Sequence, residues 1–134
     1  MFTRQQIFLK PGASKGNQTL MLAKFFPQAH IFAFEPVEES FAVLKQKTAS
    51  QPNISIFNYA LGDFSGKTQM FLSHIPNKPT IDGRSSSSLL PPYQHEQYSA
   101  SGKVFDEIKT VEVKTLDDYA AQNNIKAIDF IRMT

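Results

Sequence analysis

The sequence predicts an α/β fold in three layers, with helices on both faces of a mostly parallel sheet. Apolar runs of strand length, at residues 7–10 and His30–Phe34, alternate with segments of helical spacing. The first run ends at a Pro-Gly pair and the second at a lone acid, as strands do where they enter loops at the carboxyl edge of such a sheet. With 134 residues, the chain is expected to form a single domain over residues 1–134.

The helices follow from spacing and from the residues that end them. Residues 17–26 carry apolar side chains at helical spacing and stop at Pro27. Residues 37–48 form a second helix, with glutamates in the first turn and lysines in the last, as the helix dipole favours. Thr115 and Asp118 form a start like a capping box for a third helix, Leu116–Gln122.

The remaining strands are read from shorter patterns. Residues 54–61 are expected to form the third strand. Residues 68–72 and 109–114 are expected to form a peripheral antiparallel pair, because valines alternate with charged residues in the second segment and imply one solvated face. The last strand, residues 127–133, is expected at an edge of the parallel sheet, next to the first strand.

Composition limits the classes of partner. The net charge is +2 and no basic run carries interleaved aromatics, so nucleic acid is not an expected partner. The absence of cysteine excludes disulfides and thiolate metal sites, and no His, Asp and Glu occur at metal-ligand spacing, so no metal is expected. Neither a membrane span nor a signal peptide is recognisable, and a cytoplasmic location is expected.

The most informative stretch is the loop from Gly12 to Gly16, between the first strand and the first helix. Backbone N–H groups at the start of a helix face whatever lies over such a loop. Because the ends of both strands lie at the same edge of the sheet, Glu35 is expected beside the loop, where its carboxylate accepts hydrogen bonds from the hydroxyls of a ribose. This pattern indicates a nucleoside-cofactor site.

The glycine spacing bears on the identity of the nucleoside. The dinucleotide fingerprint, G-x-G-x-x-G, includes a glycine that lets a pyrophosphate approach the backbone. This loop reads G-x-x-x-G, with Ala13 and Ser14 after the first glycine, which favours the methionine part of S-adenosylmethionine over a nicotinamide cofactor. Ordinary turn chemistry explains two glycines near a strand end about equally well.

Five short motifs follow one another along the chain: Gly12-Ala13-Ser14-Lys15-Gly16-Asn17-Gln18-Thr19, Ala33-Phe34-Glu35-Pro36, Ala60-Leu61-Gly62-Asp63, Thr115-Leu116-Asp117-Asp118-Tyr119 and Ile128-Asp129-Phe130-Ile131-Arg132-Met133. Together they resemble the motifs of the FkbM-type S-adenosylmethionine-dependent methyltransferases. The resemblance implies a Rossmann-like methyltransferase fold. It also implies transfer of a methyl group to a hydroxyl oxygen of a small molecule or a sugar.

The resemblance further implies a set of cofactor contacts, namely Gly12, Ala13, Ser14, Gly16, Glu35, Pro36, Leu61 and Asp63. The loop would wrap the methionine end, and Glu35 would hold the ribose. Asp63 is a candidate for the adenine amino group. Pro36 would cover one face of the adenine, although its fixed φ also suits the first turn of the helix that follows.

Two departures from the family pattern stand out. Lys10 and Pro11 occupy positions where the family carries an acid and a small apolar residue. A lysine ammonium there would repel the sulfonium of the donor unless it turned to solvent. The family also continues past Met133, so the fold is expected to be incomplete in its C-terminal half, with an open sheet edge that invites self-association.

Residues 73–104 interrupt the pattern with several prolines and four consecutive serines, which indicates a working lid or a disordered loop. His74 and His95 are weak candidates for a base that removes the hydroxyl proton of the acceptor. Arg84, Ser87 and Ser88 resemble a stretch near the active site of the family and are candidates for acceptor binding, or belong to a flexible linker.

Different classes of function remain open from the sequence. The chain is a methyltransferase, or it is a non-catalytic remnant of one that has lost the donor through Lys10 and the acceptor pocket through truncation. A nicotinamide-binding module is a weaker third alternative. Whether the chain is an active enzyme is therefore left open at this point.

Overall fold

The computed structural model describes residues 4–74 and 104–133. It divides into two compact units. The first unit comprises Met1–Gly66 and Glu112–Thr134, and the second comprises Lys67–Val111. The strands are β1 (Ile7–Pro11), β2 (His30–Phe34), β3 (Ile54–Phe57), β4 (Ala60–Gly62), β5 (Gly66–His74), β6 (Val104–Thr115) and β7 (Phe130–Ile131), and the helices are α1 (Asn17–Phe25), α2 (Glu38–Thr48) and α3 (Leu116–Gln122).

The first unit contains a four-stranded sheet in the order β3-β2-β1-β7, and the three pairings in it are parallel. This confirms the predicted mostly parallel sheet and places the last strand next to β1, as expected. Strand β7 has two residues, which is shorter than the predicted strand over residues 127–133. Helix α1 ends at Phe25, one residue before the end predicted from the sequence.

Helices cover both faces of this sheet because consecutive strand residues point to opposite sides. On one face, Leu9 and Phe34 are buried with Tyr119 of α3. On the other face, Phe8 and Ile31 pack with Leu22 of α1. Ala33 packs on the same side as Ile31, with Leu44 of α2. The three-layer arrangement predicted from the sequence is therefore confirmed.

The prediction of one strand over residues 54–61 was wrong. The chain forms β3 in the parallel sheet and then β4, which pairs in parallel with the end of β6 through Ala60↔Val113 and Gly62↔Thr115. The division falls at Asn58 and Tyr59. The Asn58 Nδ2 donates a hydrogen bond to the Glu35 carbonyl oxygen (3.0 Å), and the Tyr59 ring is buried against Phe34, so the chain turns out of the first sheet at this point.

Strands β5 and β6 are hydrogen-bonded neighbours, as predicted for the strands at residues 68–72 and 109–114, and their antiparallel direction stays a prediction. Both strands extend further than predicted, to His74 and from Val104. Residues 75–103, which hold most of the predicted lid, lie outside the described residues.

The cap of α3 was predicted correctly and has an additional member. Thr115 Oγ1 accepts a hydrogen bond from the Asp118 N–H (3.1 Å). Ser65 completes the start of the helix, because its hydroxyl accepts from the Thr115 N–H (3.0 Å) and donates to the Asp118 carboxylate. Within residues 4–74 and 104–133, none of the helices has the length and apolar character that a membrane crossing needs.

Candidate functional site

The glycine loop joins the end of β1 to the start of α1 by a tight reversal. Gly12 (φ 67°), Ser14 (φ 52°) and Gly16 (φ 94°) all have left-handed backbone conformations. Glycine adopts these angles without the steric cost that a Cβ atom adds, which explains the glycines at both ends of the loop. Ser14 adopts the same region with a side chain and is held there by its neighbours.

Those neighbours come from the end of β2. The Ala13 N–H donates to the Phe34 carbonyl oxygen (2.9 Å), and the Ser14 N–H donates to Glu35 Oε1 (2.8 Å). Within the loop, the Gly16 N–H donates to the Ala13 carbonyl oxygen (3.0 Å). These three N–H groups, which the sequence suggested as ligand donors, are therefore used to build the loop and attach it to β2.

Glu35 links the loop to the segment that enters α2. Its side chain is 6% exposed, and while Oε1 accepts from Ser14, Oε2 accepts from the Val37 N–H (2.8 Å). Burial raises the pKa of this carboxyl, and the two backbone hydrogen bonds, with the nearby charge of Lys10, oppose the rise. Each carboxylate oxygen retains a second lone pair. The predicted position of Glu35 beside the loop is confirmed.

Lys10 is buried next to the start of the loop. It is 1% exposed, and its Nζ donates to the carbonyl oxygens of Pro11 (2.9 Å) and Gly12 (3.3 Å). Burial lowers its pKa, Arg132 lowers it further, and Glu35 acts in the opposite direction. The side chain has not turned to solvent, so the site contains a buried cation of its own.

Gly16 has a packing role that the sequence did not reveal. A Cβ atom at this position would lie 2.7 Å from Leu44 Cδ1 of α2, closer than real contacts allow. The glycine therefore lets α2 approach the start of α1. Pro36 and Val37, which follow Glu35, are also buried.

The other candidate residues lie in different surroundings. Leu61, in β4, packs against the buried aromatic cluster that contains Phe34 and Tyr119, whereas Asp63 is exposed just beyond β4. His74 is the last residue of β5, in the second unit. Arg84, Ser87, Ser88 and His95 lie outside the described residues. No group of three metal-ligating side chains occurs within residues 4–74 and 104–133.

Comparison with known proteins identifies the family. The chain matches the Methyltransferase FkbM domain over residues 12–133. It belongs to the FkbM methyltransferase family. The chain is also 24% identical, over 131 residues, to the 2-O-methyltransferase NoeI of Sinorhizobium fredii. That alignment covers 95% of this chain and 51% of the relative, so the chain spans about half the length of the curated relative it matches.

In this FkbM-family chain, the α/β architecture is the Rossmann-like fold that the motifs implied. The first two motifs meet at one edge of the sheet, where the loop and Glu35 are joined by direct hydrogen bonds. Sequence reasoning missed the contribution of β3. The Glu35 N–H donates to the Phe57 carbonyl oxygen (3.0 Å), and Asn58 donates to the carbonyl oxygen of Glu35, so this acid is held from both its main chain and its side chain. The sequence signal for this contact was Asn58, a polar residue directly after the neighbouring strand β3.

Proposed function

We propose that this FkbM-family chain binds S-adenosylmethionine at the glycine loop and takes part in the transfer of its methyl group to a hydroxyl oxygen of a small molecule or a sugar. The observation that carries the proposal is the position of the Glu35 carboxylate. Two backbone N–H groups orient it beside the loop, and each of its oxygens keeps a lone pair for a ribose hydroxyl.

The residues at this edge fit the nucleoside part of the cofactor. Glu35 would accept hydrogen bonds from the ribose hydroxyls, and the backbone from Gly12 to Gly16, with Ala13 and Ser14, would lie against the methionine part. Pro36, Leu61 and Asp63 are the proposed neighbours of the adenine. When bound, the cofactor supplies an electrophilic methyl group on a positively charged sulfur.

The proposed acceptor chemistry is supported by the relative. NoeI is named a 2-O-methyltransferase, and an oxygen acceptor is therefore proposed here. A hydroxyl gains nucleophilicity from a base that takes its proton, and His74 and His95 are the proposed candidates. Arg84, Ser87 and Ser88 are proposed to contact the acceptor.

A second candidate is a non-catalytic remnant of such an enzyme that has lost the donor, and a specific observation favours it. Lys10 places a buried ammonium within hydrogen-bond distance of the carbonyl oxygens of Pro11 and Gly12, at the start of the loop that is proposed to hold the cationic donor. A nicotinamide cofactor is less well supported, because the loop lacks the glycine that a pyrophosphate requires.

Calorimetry with S-adenosylhomocysteine tests the cofactor site. We expect the full chain to bind it and Glu35→Ala to weaken binding by at least about tenfold, because hydrogen bonds to a charged group contribute about 1.5–3 kcal/mol each. Glu38→Ala, which removes an exposed carboxylate from the first turn of α2, is the matched control and should bind as the parent does.

Circular dichroism establishes that the variants are folded. Equal affinity of a folded Glu35→Ala chain would contradict the ribose assignment. The same titration with NAD distinguishes the nicotinamide alternative, since binding of NAD without binding of S-adenosylhomocysteine would reverse the choice of cofactor. Transfer of a labelled methyl group to a panel of sugars then separates an enzyme from a binding protein.

A further inference from the structure

We infer that Lys10 sets the charge preference of the cofactor site, so that the site binds the neutral thioether S-adenosylhomocysteine more tightly than the sulfonium S-adenosylmethionine. The inference rests on the proposed function, because it concerns the ligand of the same glycine loop. It adds a specificity-determining residue, whose ammonium donates a hydrogen bond to the first residue of the loop.

The ammonium of Lys10 is buried near the end of β1. Lys10 is the fourth residue of the five-residue strand β1, and its register partner is Ala33 of β2. Its side chain is 1% exposed and therefore has no route by which the charge moves into bulk water without local opening. Its hydrogen bonds to the Pro11 and Gly12 carbonyl oxygens, at 2.9 and 3.3 Å, direct the charge at the loop itself.

Charged groups of both signs act on this ammonium. Glu35 is the acid that acts electrostatically on Lys10, and Arg132 is a second cation that acts on it. Within the part of the chain that the structure describes, one buried carboxylate and one exposed guanidinium therefore act on the buried ammonium. The Glu35 oxygens are also each engaged by a backbone N–H, which draws part of their charge away from Lys10. The end of β1 consequently favours anionic or neutral groups over cationic ones.

S-adenosylmethionine and S-adenosylhomocysteine differ only at the sulfur atom. Both carry the same adenosine, the same carboxylate and the same ammonium, and they differ by one methyl group and one positive charge on sulfur. Whatever Lys10 does to the shared groups cancels when the two affinities are compared. The methyl group and the charge on sulfur also make contacts of their own, so the interaction between the buried ammonium and the sulfonium is measured by the change in the affinity ratio when the charge of Lys10 is removed. This interaction is screened less by salt than an exposed pair would be.

Calorimetry of the full chain with each ligand measures this preference. We expect the parent chain to bind S-adenosylhomocysteine about tenfold to a hundredfold more tightly than S-adenosylmethionine, the range expected for like unit charges in partly buried surroundings. Lys10→Met keeps an unbranched side chain and removes the charge, and should lower this affinity ratio by about tenfold or more.

Three further variants serve as controls. Lys10→Gln removes the charge but keeps an N–H donor for the carbonyl oxygens of Pro11 and Gly12. It should also reduce the preference, and it is the neutral variant to use if Lys10→Met does not fold without those hydrogen bonds. Lys10→Arg keeps the charge and should keep the preference. Lys24→Met removes an exposed charge from α1 and should leave both affinities unchanged.

The outcomes separate this inference from the proposed function. An unchanged ratio of the two affinities in folded Lys10→Met and Lys10→Gln would overturn the role of Lys10 and leave the cofactor site intact. Failure of every variant to bind S-adenosylhomocysteine would overturn the cofactor site, and the inference with it. A parent chain that prefers S-adenosylmethionine would also overturn the inference.

Discussion

Strand β1 has β2 on one side and β7 on the other, both parallel to it. Beside β2 the register runs over five residue pairs, from Ile7↔His30 to Pro11↔Phe34, and Phe34 is fully buried. Beside β7 it runs over Phe8↔Phe130 and Leu9↔Ile131, and both β7 residues are about 40% exposed, at 42% and 41%.

The same type of hydrogen-bonded ladder therefore gives two different degrees of burial. Side chains of β2 contact helices on both faces, through Leu44 on one and Tyr119 on the other. The exposed β7 is held at its start by ionic and polar contacts from Asp129 to Arg4 and to the Ile7 N–H. The candidate site lies on the β2 side, so its carboxylate is oriented by the better-packed part of the molecule, which favours preorganised binding.

The largest expected effect is a difference in the free energy of unfolding lost through one substitution on each side of β1. Phe34→Ala should lower the free energy of unfolding by about 3–5 kcal/mol, because Phe34 is fully buried and contacts three aromatic rings, those of Phe57, Tyr59 and Tyr119. Phe130→Ala should cost about 1 kcal/mol, since the residue is 42% exposed. Urea denaturation measures both values.

Phe34→Leu keeps the fold measurable if the alanine variant does not fold at all. Equal costs for Phe34→Ala and Phe130→Ala would contradict the difference in burial between the two sides. Such a result would mean that Phe130 is covered in solution.

A smaller effect is expected where α1 meets α2, on the β2 side. Gly16→Ala should destabilise the chain by about 1–3 kcal/mol, because the new Cβ would meet Leu44 Cδ1 at 2.7 Å and the backbone has a φ of +94°. Gly62→Ala is the matched control for the steric contact alone. Its Cβ would approach Val113 Cγ1 equally closely, at 2.7 Å, but Gly62 has no left-handed φ.

The double variant Gly16→Ala/Leu44→Ala separates the two causes, because it removes the clash and keeps the conformational cost. Each variant is compared by urea denaturation with the corresponding single Leu44→Ala chain. If Gly16→Ala left stability unchanged, the close approach of α2 to the loop would be wrong.

The sequence predicted the elements whose signals are local. The bounds of β2 and α3 agree with the structure, because an apolar run, a proline or a capping threonine marks each of them within a few residues. The split between β3 and β4 was missed, since it depends on a bond from Asn58 to Glu35, which is distant in sequence. Periodicity carries no information about such a contact.

The candidate site likewise has features that the sequence predicted and one that it did not. The glycine loop and Glu35 were placed together correctly from strand order, because parallel strands end at one edge. The burial of Lys10 was not predicted, since a lysine at the end of a strand is ordinarily able to reach solvent. Its hydrogen bonds to Pro11 and Gly12 depend on the left-handed turn at Gly12, a property of the folded loop.

The smallest expected effect concerns the attachment of β7. Asp129 binds Arg4 through both carboxylate oxygens and accepts a hydrogen bond from the Ile7 N–H (2.7 Å). The hydrogen bond from Arg4, followed by that from Ile7, lowers the pKa of this carboxyl. Because the pKa is lowered in the folded chain, the ionised carboxylate stabilises the fold at pH values above the ordinary pKa of aspartate, about 4. This contribution is lost as the pH falls through the pKa of the folded chain.

Asp129→Asn should therefore shift the urea midpoint slightly downward at pH 7, and the shift should shrink as the pH is lowered below about 4. High salt should reduce it as well, because Arg4 is more than half exposed, at 57%. Asp117→Asn, in an exposed position of α3, controls for the loss of one negative charge. A difference between parent and Asp129→Asn that persists unchanged at pH 2 would mean that packing at this position, and not the ionised carboxylate, holds β7 against β1.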